Sequence, residues 1–537
     1  MSISLHTAAL HSKYDPWREA EKYLRHSSVS TDSSIYLLLE PGRGYLTHLL
    51  HKYNPTAKLI EVHCSSEVEP LQSREPSAVE RWNPHSEKSL SAFLAEQIDD
   101  LDIGRVTILE WPPAERVFGS TFNEIKTGVR NFLQERRGTI HTTGKFGRLW
   151  LRNSLKRAAH MPPLLKNIHV QTPIVIAASG PSLNRAIPLL QQQQQKLFIL
   201  ALPSSISALQ HAGILPDMIV HSDPGFYAGY HLHSADSAHS IAAAPLFSAG
   251  YRRSDVRLAL LSTGTPIEEY FVHELSLNPI RINSHGTVAG IAFQLALQLG
   301  SPVKPDDLLE GPPIIFAGLD FCYDDILGHS RPHSFDKLLY AGHTRLQPIQ
   351  HIYYSRSPRS RGENQRQTFA LERYAGWFQQ LGLDYRRKVY RLFPSAEEIP
   401  GFTGIDAEEF MQIFSQTGYT PRYGHDAVHW SGADDKFSAE LQQVSKPDIR
   451  SALIQYSQAL QTQFDTFTAN AVSEGSFSGR ALKTLKGFPL LLEFVEYTDY
   501  SLLFRLRRKT AGFDELRNSY LQNMHTLESL IQAVQHL

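Results

Sequence analysis

The chain has 537 residues, of which 42% are hydrophobic and 20% are charged, a composition typical of a folded protein rather than a disordered one. Its 53 Lys and Arg residues nearly balance 54 Asp and Glu residues, which argues against a dedicated nucleic-acid-binding protein. No apolar run approaches the roughly 20 residues that span a bilayer, no secretory signal is predicted, and Cys64 and Cys322 match no metal-binding spacing. These features predict a cytoplasmic protein of about three domains and favour an enzyme.

The N-terminal part of the chain has the pattern of a small α/β domain. An apolar run at residues 35–39 is closed by the turn Glu40-Pro-Gly42-Arg-Gly44, and a helical stretch and a second apolar run follow. This order predicts strand, turn, helix and strand, so we expect a Rossmann-like α/β domain over residues 1–120. The glycine turn with Glu61 downstream is compatible with a nucleotide or S-adenosylmethionine site, and also with a purely structural turn. Residues 121–164 are predicted to form a helical connector.

The strongest pattern lies in residues 165–425. Continuous apolar runs alternate with helical patterns and end in small or polar residues; the runs are 174–178, 197–202, 218–220, 258–262 and 313–317. This predicts an α/β domain with a central, doubly wound and mainly parallel sheet. Because the carboxyl ends of such strands form a ligand crevice, we expect that edge to gather Gly180, Ser182, Ser204, Asp223 and Asp320. Residues 426–537 show helical periodicity, over 436–463 and 482–537, and are predicted to form a helical C-terminal domain.

Two predicted helix starts could bind an anion. Ser179-Gly180-Pro181-Ser182 follows a buried strand, and a helix start offers unpaired N–H groups and a favourable dipole to a phosphate. The alternative is an ordinary turn with Ser182 as the helix N-cap. Ser284-His285-Gly286-Thr287 precedes a second helix, which Ser284 or Thr287 could cap.

A cluster of titratable residues follows the last buried strand of the central pattern. Asp320 stands where it could bind a ribose or sugar hydroxyl. His329 or His333 could act as a general base, because the pKa of imidazole lies near neutral pH. A solvated loop explains each of these residues singly.

Taken in order, these motifs resemble a known family. The segments IVIAASGPSLNRAIPLL, ILPDMIVHSDPG, INSHGTVAGIAFQLALQLG and IIFAGLDFCYDDILGHS resemble the MptE-like domain of motility-associated factor (Maf) proteins, which are flagellin glycosyltransferases. Residues 37–50, 146–157 and 389–405 resemble further parts of that family, so the resemblance covers roughly residues 35–410. The central motifs are also similar to those of small bacterial CMP-sialic acid transferases.

The resemblance implies a set of roles for individual residues. Around the donor, it places Ser179, Gly180 and Ser182 at the CMP phosphate or ribose and Ser204 beside the sugar. It places Ser284, His285 and Gly286 at the cytidine or phosphate. Asp320 and Tyr323 complete the donor pocket. For catalysis, it implies His329 as the base with His333 in reserve, and Asp223 or Asp320 flanking the reacting sugar. The sequence departs from the family at Ala178, where the first glycine of Gly-x-Gly is expected.

The implied activity is transfer of a nonulosonic acid, of the pseudaminic or legionaminic acid type, from its CMP ester to Ser or Thr hydroxyls of flagellin. No metal or other cofactor is required by this chemistry. One alternative is a pterin pyrophosphokinase, which would need ATP and Mg²⁺ held by carboxylates such as Asp223 and Asp320. The other is a non-catalytic flagellin-binding or export factor.

Overall fold

A computed structural model of the protein describes residues 10–27, 29–66, 79–232, 241–249, 256–284, 286–300, 311–356, 365–380, 388–395, 397–416, 437–473, 484–508 and 510–535. None of the helices in these ranges is both long enough and apolar enough to cross a bilayer. The described residues fall into two compact units. The first draws on the ranges Met1–Gly147 and Asp499–Leu516, and the second on Arg148–Ser476, Lys483–Thr498 and Arg517–Leu537.

The first unit is built on a four-stranded parallel sheet. Its strands are β1 (Ile35–Leu39), β2 (Lys58–Val62), β3 (Val79–Trp82) and β4 (Val106–Glu110), in the order β3-β2-β1-β4. The helices of this unit are Pro16–His26, Tyr45–Tyr53, Leu90–Gln97 and Pro112–Phe118, with a 3₁₀ turn at Asp100–Arg105. The central strand β1 is buried along its whole length, as its continuous apolar run predicts. The predicted order of strand, turn, helix and strand is confirmed.

The second unit is built on an eleven-stranded sheet. Its strands are β5 (Leu164–Val170), β6 (Ile174–Ala177), β7 (Phe198–Ala201), β8 (Met218–Val220), β9 (Ile241–Pro245), β10 (Arg257–Ser262), β11 (Ile280–Arg281), β12 (Ile314–Ala317), β15 (Val389–Leu392), β16 (Thr403–Ile405) and β17 (Phe437–Gln442). Two further strands, β13 (Tyr323–Asp324) and β14 (Gln365–Arg366), pair only with each other. The sheet order is β16-β15-β12-β6-β7-β8-β9-β10-β5-β17, with β11 beside β10, and every pairing except β5 with β17 is parallel. The predicted central, mainly parallel sheet is therefore confirmed.

Both faces of this sheet are covered, as in a doubly wound fold. Alternate side chains of β6 point to opposite faces. Ile174 and Ile176 pack into one core with the helix Val288–Leu299, and Val175 and Ala177 pack into the other with the helix Leu183–Gln193. The remaining helices of the unit are Ile206–His211, Phe226–Leu232, Pro266–Glu274, Asp336–Ala341, Ile349–Arg356, Phe369–Gln380, Ala407–Gln416 and Lys446–Ser473.

Three long helices have residues in both units: Ser120–Ala159, Pro489–Arg507 and Phe513–Gln535. The first of these is the predicted helical connector. The C-terminal helices confirm the predicted helical periodicity, and their residues are divided between the two units.

The prediction that helix begins at residue 436 is wrong. Phe437–Gln442 is strand β17, which pairs antiparallel with β5 at the edge of the large sheet. The segment FSAELQ alternates apolar and polar residues, which is the period of a strand. Ala439 is buried, and the ring of Phe437 lies 5.4 Å from that of Phe198. The helix starts only at Lys446.

Candidate functional site

The centre of the candidate site is the junction between two neighbouring strands, β6 and β12. Both end at the same edge of the parallel sheet, and the turns that follow them carry Ser182 and Asp320. The Asp320 carboxylate accepts from the backbone N–H of Ser182 over 2.7 Å and from its hydroxyl over 2.6 Å. Asp320 therefore caps the helix Leu183–Gln193 from the adjacent strand. Its charge occupies the helix start at which the sequence predicts an anion.

Two glycines make this approach possible. The N–H of Gly180 donates to the carbonyl of Gly318 over 2.8 Å. A Cβ at Gly180 would stand 2.4 Å from an Asp320 oxygen and 2.5 Å from the Gly318 carbonyl. Gly318 has a φ of +77°, and a Cβ there would lie 2.6 Å from the carbonyl of Ala178. Gly180 thus lets the backbone come close to Asp320, whereas the sequence predicts that it lets the backbone approach a ligand.

The alternative in which the Ser182 side chain caps its own helix is wrong. Its hydroxyl makes no capping hydrogen bond to the helix backbone and donates to Asp320 instead. The predicted contacts of Ser182 and Asp320 with a donor substrate stay predictions. To make them, either residue would have to exchange or share its present partner.

A buried guanidinium supports the turn that carries Asp320. Arg391, on β15, is 4% exposed and donates to the carbonyl of Leu319 over 2.7 Å and to the Ser395 hydroxyl over 3.0 Å. Burial raises the pKa of Asp320, and the hydrogen bonds from Ser182 and the charge of Arg391 oppose that rise. Sequence analysis missed Arg391. Its signal was a charged residue inside an otherwise apolar strand, which requires a buried partner.

A second group of side chains lies at the same edge. The Ser204 hydroxyl donates to the Ser179 hydroxyl over 2.8 Å, and the latter lies 3.2 Å from Nδ1 of His329. In the tautomer that carries its proton on Nδ1, the His329 ring donates to the Ser179 hydroxyl. A proton held on Nδ1 leaves Nε2 as the basic atom. The structure thus brings three of the predicted residues, Ser179, Ser204 and His329, into one hydrogen-bonded chain.

His329 is exposed to solvent at this edge although protein surrounds much of its ring. Desolvation by the surrounding protein, together with the charge of Arg331, lowers its pKa. The imidazole is therefore neutral at physiological pH, which is the state that a general base needs.

His333 has a different environment. Its ring stacks on that of His329 at 4.7 Å and lies 5.3 Å from that of His231. Its Nδ1 accepts from the N–H of Phe335 over 3.3 Å, so the proton of the neutral ring lies on Nε2. Nε2 is enclosed and has no hydrogen-bond partner within the described part of the chain. Because a protonated, enclosed nitrogen cannot accept a proton from a substrate, the geometry favours His329 over His333 as the base.

The loop that carries both histidines is fixed by a polar network. Arg331 pairs with Asp336 and donates to the Tyr353 hydroxyl over 2.6 Å. Its backbone N–H donates to the side chain of Asn184 over 3.0 Å, which connects the loop to the first turn of the helix Leu183–Gln193. The histidines are thereby held close to the turn between β6 and that helix.

The other predicted residues near the histidines, Asp223 and Tyr323, make fewer hydrogen bonds to the rest of the protein among the described residues. Asp223 is exposed and accepts from the N–H of Gly225 over 2.6 Å. Its charge acts on His231, whose ring lies beside that of His333. Tyr323 is half-buried on β13, and a Cβ at Gly328 would lie 2.8 Å from its ring.

The second predicted helix start is capped by Thr287, whose hydroxyl accepts from the N–H of Gly290 over 2.9 Å. Ser284 and Gly286 are exposed, and His285 lies outside the described residues. The indole of Trp377 lies directly against Gly286, so that a Cβ there would overlap the ring. Trp377 was not predicted from the sequence. Its helix has the same apolar pattern whether the indole packs in the hydrophobic core or, as here, against a loop distant in the sequence.

The glycine turn of the first unit is filled by the protein itself. Glu61 is buried and accepts from Thr47 and from Arg81, the latter over 2.7 Å, and pairs with His63. The backbone N–H of Arg43 donates to the His11 ring over 2.9 Å, and that ring lies in the space that a Cβ at Gly42 would need. These contacts favour the structural interpretation of the turn.

Comparison with known proteins gives a family match for part of the region that holds this site, namely the strands and turns that carry Ser179, Ser204 and Asp320. Residues 151–325 match the family model described as 6-hydroxymethylpterin diphosphokinase MptE-like. The predicted resemblance to an MptE-like domain is confirmed for these residues. Outside them, over residues 35–150 and 326–410, the resemblance to Maf proteins stays a prediction.

Three uncharacterized proteins of Treponema pallidum (strain Nichols) are each 25% identical to the chain. The first alignment covers 331 residues, which are 60% of this chain and 68% of the relative. The second covers 177 residues, 32% of this chain and 84% of the relative. The third covers 211 residues, 36% of this chain and 70% of the relative. A solved structure of a Maf glycosyltransferase from Magnetospirillum magneticum AMB-1 aligns with a TM-score of 0.48 and 11% identity, covering 99% of this chain and 82% of that chain.

Gly180→Ala is expected to destabilise the protein by about 1–3 kcal/mol, the usual cost of overpacking, because the new methyl group meets Asp320 and a backbone carbonyl. Urea unfolding would measure the difference. Gly376→Ala is the control, because no atom lies within 4 Å of a Cβ there and alanine favours a helix. Equal stability of the two variants would contradict the packing argument.

The buried histidines of the second unit predict acid sensitivity. Burial lowers the pKa of His221 and of His333 to about 3 and that of His231 to about 4. Unfolding returns each pKa to about 6.5, so the unfolded state binds more protons at acid pH. The free energy of unfolding should be insensitive to these groups above pH 6.5 and should fall below it, by at most about 1.4 kcal/mol per pH unit for each histidine. His221→Gln should reduce this slope between pH 7 and 5, whereas His211→Gln, at an exposed position, should not.

Proposed function

We propose that the protein is a glycosyltransferase that acts in the cytoplasm and transfers a nonulosonic acid, such as pseudaminic or legionaminic acid, from its CMP ester to Ser or Thr hydroxyls of flagellin. The observation that carries the proposal is the neutral, solvent-exposed His329, whose Nδ1 faces Ser179 at the carboxyl edge of the sheet. A hydroxyl acceptor needs a general base of this kind. The MptE-like match of residues 151–325 includes Ser179 and Ser204 of this edge and ends just before His329.

In the proposed reaction the acceptor hydroxyl attacks the anomeric carbon of the sugar. The bond between that carbon and the phosphate oxygen breaks, CMP leaves with the electron pair, and Nε2 of His329 takes the hydroxyl proton. The leaving group is a phosphate monoester of low basicity, so it needs hydrogen-bond donors rather than an acid. The Ser179 and Ser204 hydroxyls and Tyr323 are the proposed donors. Asp223 would flank the planar, oxocarbenium-like sugar.

Other residues are assigned to the nucleoside and to positioning. Ser284, His285 and Gly286 remain the proposed contacts of the cytidine, and the Trp377 ring beside Gly286 offers an aromatic surface for the base. We assign Ser182 and Asp320 a positioning role, because their hydrogen bonds hold the two turns together. No metal or cofactor is required.

The name of the matched family supports a second candidate, a pterin diphosphokinase. That reaction would use ATP with Mg²⁺ held by carboxylates. Asp320 and Asp223 are the carboxylates considered for that role. Asp320 already accepts two hydrogen bonds from Ser182, and Asp223 accepts one from the N–H of Gly225, so Mg²⁺ would share these carboxylates with their present donors.

Nucleotide binding separates the candidates. CMP is expected to raise the melting temperature, because a ligand that binds only the native state stabilises it. CMP should also be released from a CMP-nonulosonic acid on addition of flagellin. A large shift with ATP and Mg²⁺ but none with CMP would replace the transferase by the kinase. Flagellin binding without release of CMP or AMP would favour a non-catalytic binding factor.

His329→Ala should slow glycosyl transfer by about 10²–10⁴-fold, the usual effect of losing a general base, and leave CMP affinity nearly unchanged. The wild-type rate should rise with pH through a pKa below 6.5, because that of His329 is lowered, and the variant should lose this dependence. His273→Ala, at a side chain that is 86% exposed, is the matched control. A wild-type rate in His329→Ala would exclude the residue as the base.

A further inference from the structure

Large apolar side chains exposed to solvent are concentrated beside the candidate site. Among the described residues, twelve large hydrophobic side chains are exposed, and six of them lie in only two segments of the second unit. The first segment contains Phe226, which is 73% exposed, and Tyr227, which is 66% exposed. The second contains Leu338 (45%), Tyr340 (55%), Leu346 (93%) and Tyr354 (60%). Scattered exposed side chains need no explanation, but a concentration of this kind marks an interaction surface.

Both segments follow directly from the residues of the candidate site. Phe226 and Tyr227 begin the helix that comes after Asp223 and the end of β8. The second segment, residues 338–354, comes after the loop that carries His329 and His333. We call these two segments together the aromatic flank.

A run of neighbouring rings connects the flank to the proposed base. The Tyr227 ring lies 6.0 Å from that of Phe335, and the Phe335 ring lies 5.4 Å from that of His333. The His333 ring stacks on that of His329 at 4.7 Å. The Phe226 ring lies 5.7 Å from that of Tyr227, on the exposed side of the run. Phe335 also directly precedes the helix Asp336–Ala341, which carries Leu338 and Tyr340 of the second segment. A molecule that covers these two side chains and Tyr227 is therefore held within a few rings of the base.

We propose that the aromatic flank binds the polypeptide that carries the acceptor hydroxyl, through apolar side chains on either side of the modified Ser or Thr. This inference rests on the proposed function for the identity of the bound polypeptide. A sugar or nucleotide alone would leave most of the flank uncovered, because its side chains extend over two segments of the chain. A protein acceptor has both the size and the apolar side chains to cover it, and aromatic side chains dominate such contacts.

The experiment measures binding and transfer separately in the full-length chain. The test variant is Phe226→Ser with Leu338→Ser, which removes one exposed side chain from each segment of the flank. The control is Leu215→Ser, which removes an exposed leucine that precedes β8 and so stands at the opposite edge of the sheet. Both variants remove exposed side chains, so neither is expected to change the melting temperature.

With monomeric flagellin as the probe, the double variant should raise the Kd, and the KM for transfer, by about 10- to 30-fold, the effect of losing an interface hot spot. Release of CMP from the donor in the absence of flagellin should change less than twofold. Leu215→Ser should change neither quantity. An unchanged Kd and KM in the double variant would overturn the inference.

Two further outcomes distinguish the inference from the proposed function. If the wild type binds flagellin and the double variant does not, but neither releases CMP, the flank is supported and the transferase is not. If the wild type self-associates in sedimentation, and the double variant is monomeric with an unchanged Kd for flagellin, the flank is an interface between copies of the chain and the inference is overturned.

Discussion

The candidate site depends on one interaction, in which the Asp320 carboxylate accepts two hydrogen bonds from Ser182. It joins the ends of two neighbouring parallel strands and satisfies the N–H of Ser182, the residue before the helix between β6 and β7, whose first N–H groups bond to backbone carbonyls. Charge-assisted hydrogen bonds are the strong ones in proteins, and removing one partner of a buried charge costs about 1–3 kcal/mol or more. The fixed turn then determines where the Ser179 hydroxyl, one residue before Gly180, meets the His329 ring.

The same interaction limits what the helix start can bind. A free helix N-terminus attracts a phosphate, but here the protein supplies its own anion. A donor phosphate therefore has to use the hydroxyls on the other side of the turn, Ser179 and Ser204, or displace Asp320. Displacement is opposed by Arg391, which holds the Leu319 carbonyl from β15. We infer that the turn serves as a fixed support, and that ligand contacts come from the residues around it.

The sequence predicts the sheet well and the site only in part, for physical reasons that differ from residue to residue. Buried parallel strands appear as continuous apolar runs, so β6, β7, β8, β10 and β12 are visible without a structure. The six residues of β17 alternate apolar and polar side chains, but so short a run next to the long helical pattern from Lys446 was included in the predicted helix. Asp320 and Ser182 were both identified, but their mutual contact was not, because it depends on how two strand ends meet. Trp377 has no distinguishing local pattern, and the charge of Arg391 inside an apolar strand indicates that a buried partner exists but not which residue it is.

The histidine cluster gives the site a second constraint. His231, His329 and His333 are neighbours, and a positive charge on His329 lowers the pKa of the other two. The cluster therefore opposes protonation, and at physiological pH its rings are neutral. Since Nδ1 of His333 accepts from a backbone N–H, that ring has no free basic nitrogen, whereas His329 directs Nδ1 toward Ser179 and leaves Nε2. Of two stacked imidazoles, one thus has its basic nitrogen engaged by the protein, and the other keeps Nε2 available to a proton. The difference comes from two contacts, that of the Phe335 N–H with His333 and that of the Ser179 hydroxyl with His329.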